Sequence, residues 1–450
     1  MAKGLSLDVL LAESEVGQLQ VDDRQRLRFD YTTTWCRAGF PLSPSLPLTQ
    51  DPDSEMEWQN AANAFFQNLL PEGQALEDVS RALQVSKAST FGLLRAVGGE
   101  ASGAVRVLAS DHMADAEWVR PIPRAELSTH IRERQDVPFS VWDGTVRLSI
   151  AGYQDKLAVF ESAGEWSMVD GGKLASTHIL KPDPIKPRLA GLTTNEFVCM
   201  RLATAIGLSV APVRLEFVPE PVLVVERFDR SRVDDAVQRI HVIDACQALG
   251  LPPSLKYERP YGDSRDVAAV RIGASLPRLF GLGRWATTPA AFKLHLLRWT
   301  IFQALIQNYD AHAKNISFFW SRRGLQVAPA YDLVSIGIYP PEWFPQTFAM
   351  AFGDAFTVGD LGAFEWAYMA HQCDIRPRQL ANELSKMAAA IKQAAAGVAK
   401  LTVEEGADAD IVQRTLDLAV NMSQSQGQAA REIPQVDPSL FTEEGTRGHE

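Results

Sequence analysis

The chain has 450 residues, 46% apolar and 22% charged, with 30 Gly and 26 Pro, a usage that excludes disordered, collagen-like and coiled-coil classes. At about 150 residues per domain, that length calls for roughly three domains or subdomains, the size of an enzyme or a multi-lobed regulator. Setting 44 Lys and Arg against 55 Asp and Glu leaves a formal charge of −11, which argues against a broad nucleic-acid-binding face of the chain's own and leaves room for a basic partner. Cys36, Cys199, Cys246 and Cys373 lie far apart with no C-x-x-C pair, the pattern of a reduced, cytosolic chain without zinc ribbon or disulfide framework. Asp8, Glu13 and Glu15 interrupt the first apolar stretch too early for a secretory leader, and no run approaches the roughly 18 apolar residues of a membrane span.

Short apolar runs at 9–11, 16–21 and 27–31 predict a small antiparallel sheet. Pro41, Pro44 and Pro47 then mark a loop or edge segment. Residues 58–108 read mainly as helix, broken at 68–73. From Gly144 the period becomes two, Val146, Leu148 and Ile150 alternating with Thr145, Arg147 and Ser149 before an Ala151-Gly152 turn. Strands are expected at 156–160, 178–181 and 222–226, and a helix over 194–207 with Thr193 or Thr194 as cap and Gly207 as stop. Beyond about residue 230 the pattern turns helical: Phe292, Leu296, Trp299 and Phe302 form a core stripe, and Ala-rich stretches follow around 378–400 and 409–423. Residues 424–450, rich in Gln, Ser, Gly, Pro and Glu, read as a mobile tail.

Chemistry concentrates after the Phe292 helix. In Gln307-Asn308-Tyr309-Asp310-Ala311-His312-Ala313-Lys314-Asn315 an Asp precedes an Asn by five positions, the spacing of a kinase catalytic loop in which the Asp takes a hydroxyl proton and the Asn binds magnesium. Tyr331-Asp332 follows another strand and turn, in the order of a second magnesium-binding Asp; the bland alternative is that Asp332 caps a helix beginning at Leu333. Upstream, Lys181 ends a strand and Glu196 opens the next helix, matching a phosphate-contacting lysine and its orienting glutamate. The strand 222–226 runs into Arg227-Phe228-Asp229, where a kinase offers backbone groups to adenine; Val224 and Val225 read as core, and Arg227, Arg230 and Arg232 as a solvated or phosphate-adjacent face.

Together these segments resemble the HipA family of bacterial serine/threonine kinase toxins over most of the chain. The resemblance is carried by Arg147 to Lys156, Thr177-His178-Ile179-Leu180-Lys181, Val225 to Arg230, Asp310 to Asn315 and Tyr331-Asp332. Leu46-Pro47-Leu48, Phe65 to Pro71, Gly103-Ala104-Val105 and Cys246 to Pro252 add to it. It implies an α+β, bilobal protein-kinase-like fold: an N-terminal subdomain (1–143), a mixed α/β N-lobe (144–229), a mainly helical C-lobe (230–423) and the tail (424–450). It further implies Asp310 as base, Asn315 and Asp332 as magnesium ligands, and ATP contacts from Ala151, Gly152, Tyr153, Gln154, Asp155, Lys156, Lys181, Glu226, Arg227, Phe228, His312, Lys314, Asn315, Tyr331 and Asp332. Ser149 would be the autophosphorylation site whose added charge repels ATP. Tyr309 stands where protein kinases carry the Arg of H-R-D, so control is expected at the Ser149 turn.

The resemblance implies an ATP- and magnesium-dependent protein kinase, the toxin of a toxin–antitoxin pair. Its substrate would be an aminoacyl-tRNA synthetase of glutamyl type, with growth arrest and persistence as the outcome. A HipB-like helix-turn-helix antitoxin would be its partner, operator DNA would be reached mainly through that partner, and the location would be cytoplasmic or at the nucleoid. Two rivals stand beside it: a small-molecule or lipid phosphotransferase of the same fold, and an inactive kinase-like corepressor.

Overall fold

The computed structural model describes residues 6–22, 26–49, 55–109, 118–137, 139, 141–142, 145–146, 154–171 and 173–441. The chain divides into two compact units that interleave along the sequence: Met1–Thr193, Ala211–Pro253 and Ser317–Gly324 form the first, and Thr194–Val210, Ser254–Ile316 and Leu325–Glu450 the second. These divisions differ from the linear boundaries expected at 143 and 229, because segments distant in sequence close each unit.

In the first unit, β1 (Ser6–Leu11), β2 (Ser14–Val21), β3 (Leu27–Tyr31) and β4 (Val105–Ala109) make an antiparallel sheet in the order β3-β2-β1-β4. Its first three strands are the expected ones. The region expected to be mainly helical contains α1 (Glu55–Gln67), α2 (Gly73–Leu83) and α3 (Thr90–Val97), but it ends in β4. Val105 and Val107 are buried on one face there, so a period of two replaces the helical one at the end of the stretch.

A second, six-stranded sheet follows, formed by β5 (Trp118–Pro121), β6 (Leu157–Ser162), β7 (Glu165–Asp170), β8 (His178–Pro182), β9 (Val213–Phe217) and β10 (Pro221–Glu226), in the order β9-β10-β8-β6-β7-β5. Trp142, Leu157, Val159, Trp166, Leu180 and Val224 fill the core beneath it, which holds the strand lysine in a fixed register opposite Leu223.

Helix α4 (Leu192–Ala205) begins two residues earlier than the expected cap would allow, and Thr193 and Thr194 lie in its first turn. The Asp183 carboxylate supplies the cap, accepting from the Gly191 and Thr193 N–H groups at 2.9 and 3.0 Å. The helical stop is the expected Gly207, with φ +81°. In the second unit, α5 (Pro289–Leu305) buries Phe292, Leu296, Trp299 and Phe302, and α6 (Ala363–Gln372), α7 (Pro377–Glu404) and α8 (Ala409–Ala429) complete the helical body. The expected mobile tail is corrected as far as residue 441: α8 runs through 424–429, and short 3-10 turns at Ile433–Gln435 and Pro438–Phe441 follow. Among the described residues no helix is long and apolar enough to cross a membrane. The architecture is the expected α+β one.

Candidate active site

Helix α5 delivers the chain to the acidic loop in the second unit. Gln307, with φ 49°, turns the backbone out of the helix, and His312 leads into a 3-10 turn at Ala313–Asn315. The Asp310 carboxylate accepts a 2.5 Å hydrogen bond from the Tyr257 hydroxyl. The Asn315 carboxamide donates to the Asp310 carbonyl at 2.9 Å, so the five-residue spacing closes the loop on itself. With its NH₂ group turned to the backbone, Asn315 presents Oδ1, the hard oxygen that magnesium prefers.

His312 is buried, packs edge-on against Tyr257 with ring centroids 5.0 Å apart, and has Nε2 3.8 Å from Asp310 Oδ1. Burial, reinforced by the cations of Lys256 and Lys314, holds its imidazole neutral by pushing its pKa well below 6.5. Buried Tyr309 donates its hydroxyl to Gln307 Oε1, and burial raises its pKa to about 12, which keeps the phenol neutral; a tyrosine supplies no positive charge in place of the missing arginine.

Asp332 is held beside this loop by its backbone. The Tyr331 hydroxyl donates to the Lys314 carbonyl at 2.7 Å, Ala330 bridges Val210, and Asp332 itself adopts a left-handed φ of 51°. No helix begins at Leu333, which removes the capping alternative; the nearest helical turn is a 3-10 turn at Ile336–Ile338. Further along, buried Asn195 of α4 pairs with the backbone of Ser335, donating to its carbonyl at 2.9 Å and accepting from its N–H at 2.7 Å. Glu196, the expected partner of Lys181, is buried next to Asn195 in the second unit, whereas Lys181 belongs to the first.

In the first unit Lys156 and Lys181 are both buried, unlike solvated surface lysines. The Gln154 carboxamide donates to the Pro182 carbonyl at 3.0 Å, tying the segment before β6 to the end of β8. Burial raises the pKa of Asp155 despite Arg134 3.6 Å away. Ser149, Ala151, Gly152 and Tyr153 lie outside the described residues.

At the end of β10 the backbone is used selectively. The Glu226 N–H donates to the Pro212 carbonyl at 2.9 Å, but Pro212 has no N–H to return, so the Glu226 carbonyl lacks its ladder partner. Such a carbonyl is suited to accept from an exocyclic amine. The Arg227 N–H is already bonded to the Thr177 carbonyl.

The arginines here are not the expected solvated face. Arg227 chelates Asp229 through bonds of 2.9 and 2.7 Å, and Arg230 joins the same carboxylate at 2.9 Å. Arg227, Arg230 and Arg239 also converge on Glu100, which accepts from Ser176 as well. Burial alone would raise the pKa of Glu100 and Asp229, but the surrounding arginines hold both well below the usual carboxylate range. Gly103 completes the cluster: its N–H donates to Asp229 at 2.7 Å, and a Cβ there would sit 2.5 Å from the Val242 carbonyl oxygen. Arg232 alone remains outside, stacked over Phe160.

Residues 7–108 match the family described as HipA N-terminal domain, and residues 148–395 the family described as HipA-like C-terminal domain. The chain is 38% identical over 401 residues to the serine/threonine-protein kinase toxin HipA of Shewanella oneidensis, covering 88% of this chain and 90% of that protein. It is 36% identical over 372 residues to a putative kinase, Y4mE, of Sinorhizobium fredii, covering 80% and 84% of the two chains. A solved structure of the Shewanella oneidensis HipA, HipB and operator DNA complex superposes with a TM-score of 0.84 at 34% identity, covering 96% of this chain and all of that one.

Proposed function

We propose that this chain, which belongs to the HipA family of bacterial serine/threonine kinase toxins, transfers the γ-phosphate of ATP to a protein serine or threonine hydroxyl. The observation that carries the reading is the bond between the Tyr257 hydroxyl and Asp310: the carboxylate already accepts a proton-bearing oxygen, the interaction an acceptor hydroxyl makes before attack. In this mechanism Asp310 takes the hydroxyl proton as the oxygen approaches phosphorus. Asn315 Oδ1 and the Asp332 carboxylate would hold magnesium, which when bound neutralises charge spread over the phosphate oxygens. Lys181 and Lys156 contact phosphate, with His312, Lys314 and Tyr331 bordering the nucleotide. The Glu226 carbonyl and the backbone of Phe228 meet adenine. Neutral His312 adds no positive charge beside Asp310.

The relative from Shewanella oneidensis is a toxin seen with HipB and operator DNA. By extension this chain binds a HipB-like antitoxin and reaches DNA mainly through it, in keeping with its charge of −11. Its substrate is an aminoacyl-tRNA synthetase of glutamyl type, and phosphorylation of Ser149 switches it off. The test is incubation with γ-labelled ATP, magnesium and a cell extract, beside Asp310→Ala. The parent is expected to label itself and a protein of synthetase size. The variant should lose both labelling and growth arrest while retaining the parent's circular dichroism, because Asp310 lies in a partly exposed loop. Label confined to small molecules, or a toxic variant, would defeat the reading.

A further inference from the structure

Asn308 has no part in the mechanism above, yet every group of its side chain is engaged. It is 1% exposed. Its Oδ1 accepts from the Asp310 N–H at 3.0 Å, while its Nδ2 donates to Gln303 Oε1 at 2.8 Å and makes a longer bond, 3.4 Å, to the Asp332 carbonyl. Its own N–H donates to the Gln303 carbonyl at 2.9 Å, fixing the amide to the end of α5. A planar carboxamide thus touches the backbones of the two acidic residues from opposite ends.

We infer that Asn308 is a positioning residue that sets the separation of Asp310 and Asp332. The inference rests on the kinase reading and gives that site a part outside its direct ligands. Backbone strain supports it independently. Gln307, immediately before Asn308, and Asp332, its distant partner, both adopt left-handed conformations, with φ of 49° and 51°. Non-glycine residues persist there only where their surroundings over-determine them. The Asn308 bonds supply that constraint on both sides, and the Gln303 contact sets the amide's orientation from a helix rather than from a loop. A turn-forming asparagine would need none of this, because its polar groups would meet water. A shift of about 1 Å between a proton acceptor and a phosphate-bound cation is enough to cost on the order of a hundredfold in rate.

The experiment compares the full-length parent with Asn308→Ala, Asn308→Ser and Gln303→Leu. Manganese binding in the presence of ADP is followed by electron paramagnetic resonance, and turnover is followed at saturating ATP. Both alterations of Asn308 are expected to weaken manganese binding about tenfold and lower kcat about thirtyfold, with the KM for ATP within about threefold of the parent. Gln303→Leu, which removes only the outer bond, should move both readings the same way by a smaller factor. If Asn308→Ala does not fold, Asn308→Ser and Gln303→Leu carry the comparison. Folded variants with parental manganese affinity overturn the inference, whether or not their melting temperature has fallen. A parent that neither labels protein nor binds manganese with ADP would instead defeat the kinase reading itself.

Discussion

Tyr257 and Asp310 stand 53 residues apart in the chain, yet a hydroxyl donated over 2.5 Å makes them one unit. A donor to the ionised form of a carboxylate favours that form, so the tyrosine keeps Asp310 ready to accept a proton. Tyr257→Phe removes the donor and retains the ring that packs against His312. The variant's base should therefore be protonated at higher pH, moving the acidic limb of the kcat/KM profile upward, with kcat reduced by about tenfold or less. An unmoved limb would restrict Tyr257 to packing. This pair shows where sequence reading stops. The Asp310 to Asn315 spacing was legible because one local turn closes it. Tyr257 was not, because nothing in Lys256-Tyr257-Glu258 reveals a partner so far downstream. Asn308 was legible as a polar loop residue, but its burial was not. Arg227 and Arg230 looked solvated for a similar reason: Glu100, the carboxylate that makes their burial tolerable, is contributed from more than a hundred residues away.

The same limit governs whole elements. The strands carrying Lys181 and Glu226 were found by their apolar runs, whereas the start of α4 was missed because its cap is remote. Asp183 lies upstream, and the chain returns to its carboxylate only after a 3-10 turn at Pro187–Leu189 and a left-handed Gly191. Another remote tie joins the proline-rich segment to the strand Val242–Asp244: His241 Nε2–H donates to the Leu42 carbonyl at 2.9 Å, leaving Nδ1 buried with no partner. A proton on Nδ1 would have no acceptor, and burial lowers the imidazole pKa from 6.5 to about 4. The unfolded chain takes up that proton first as pH falls. Stability is thus lost between about pH 6.5 and about pH 4, by up to roughly 3 kcal/mol from this group, and His312 adds to the loss in the same direction. Glu100 and Asp229 have lowered pKa values, so their contribution is intact at the neutral end of that window, begins to go near its acid end as pH reaches the ordinary carboxylate values of 4.5 and 3.8, and is lost progressively below them. Melting temperature followed from pH 7.5 to pH 4.5 should fall steadily in the parent. It should fall less in His241→Gln, whose amide can still donate to Leu42 but does not titrate. Equal slopes would show that His241 does not contribute to the acid sensitivity.

At the scale of the molecule, the interleaved units mean that chain ends and crossovers, rather than contiguous blocks, complete each body. The C-terminal segment is the clearest case. Its composition reads as solvated because so few of its residues are apolar, but Met422, Gln426, Ala430 and Ile433 recur at helical spacing and all are buried. Gln426 accepts from Trp366 Nε1 at 2.7 Å and donates to the Leu361 carbonyl at 3.2 Å, and Phe441 stacks on Tyr368 with centroids 5.4 Å apart. Ending the chain after Ser423 would strip Ile433 from the core, a burial worth about 2 kcal/mol, and leave the indole N–H of a fully buried tryptophan without its acceptor, at a further 1–3 kcal/mol or so. Ending it after Phe441 removes none of these contacts. The shorter chain is therefore expected to melt about 10 °C below the parent or to be recovered insoluble, while the 441-residue chain should melt with the parent and retain its labelling activity. Parental melting after Ser423 would return the segment to the role of a tail. A loss of labelling in a 1–423 chain that still melts with the parent would instead place the helix end in the kinase reaction.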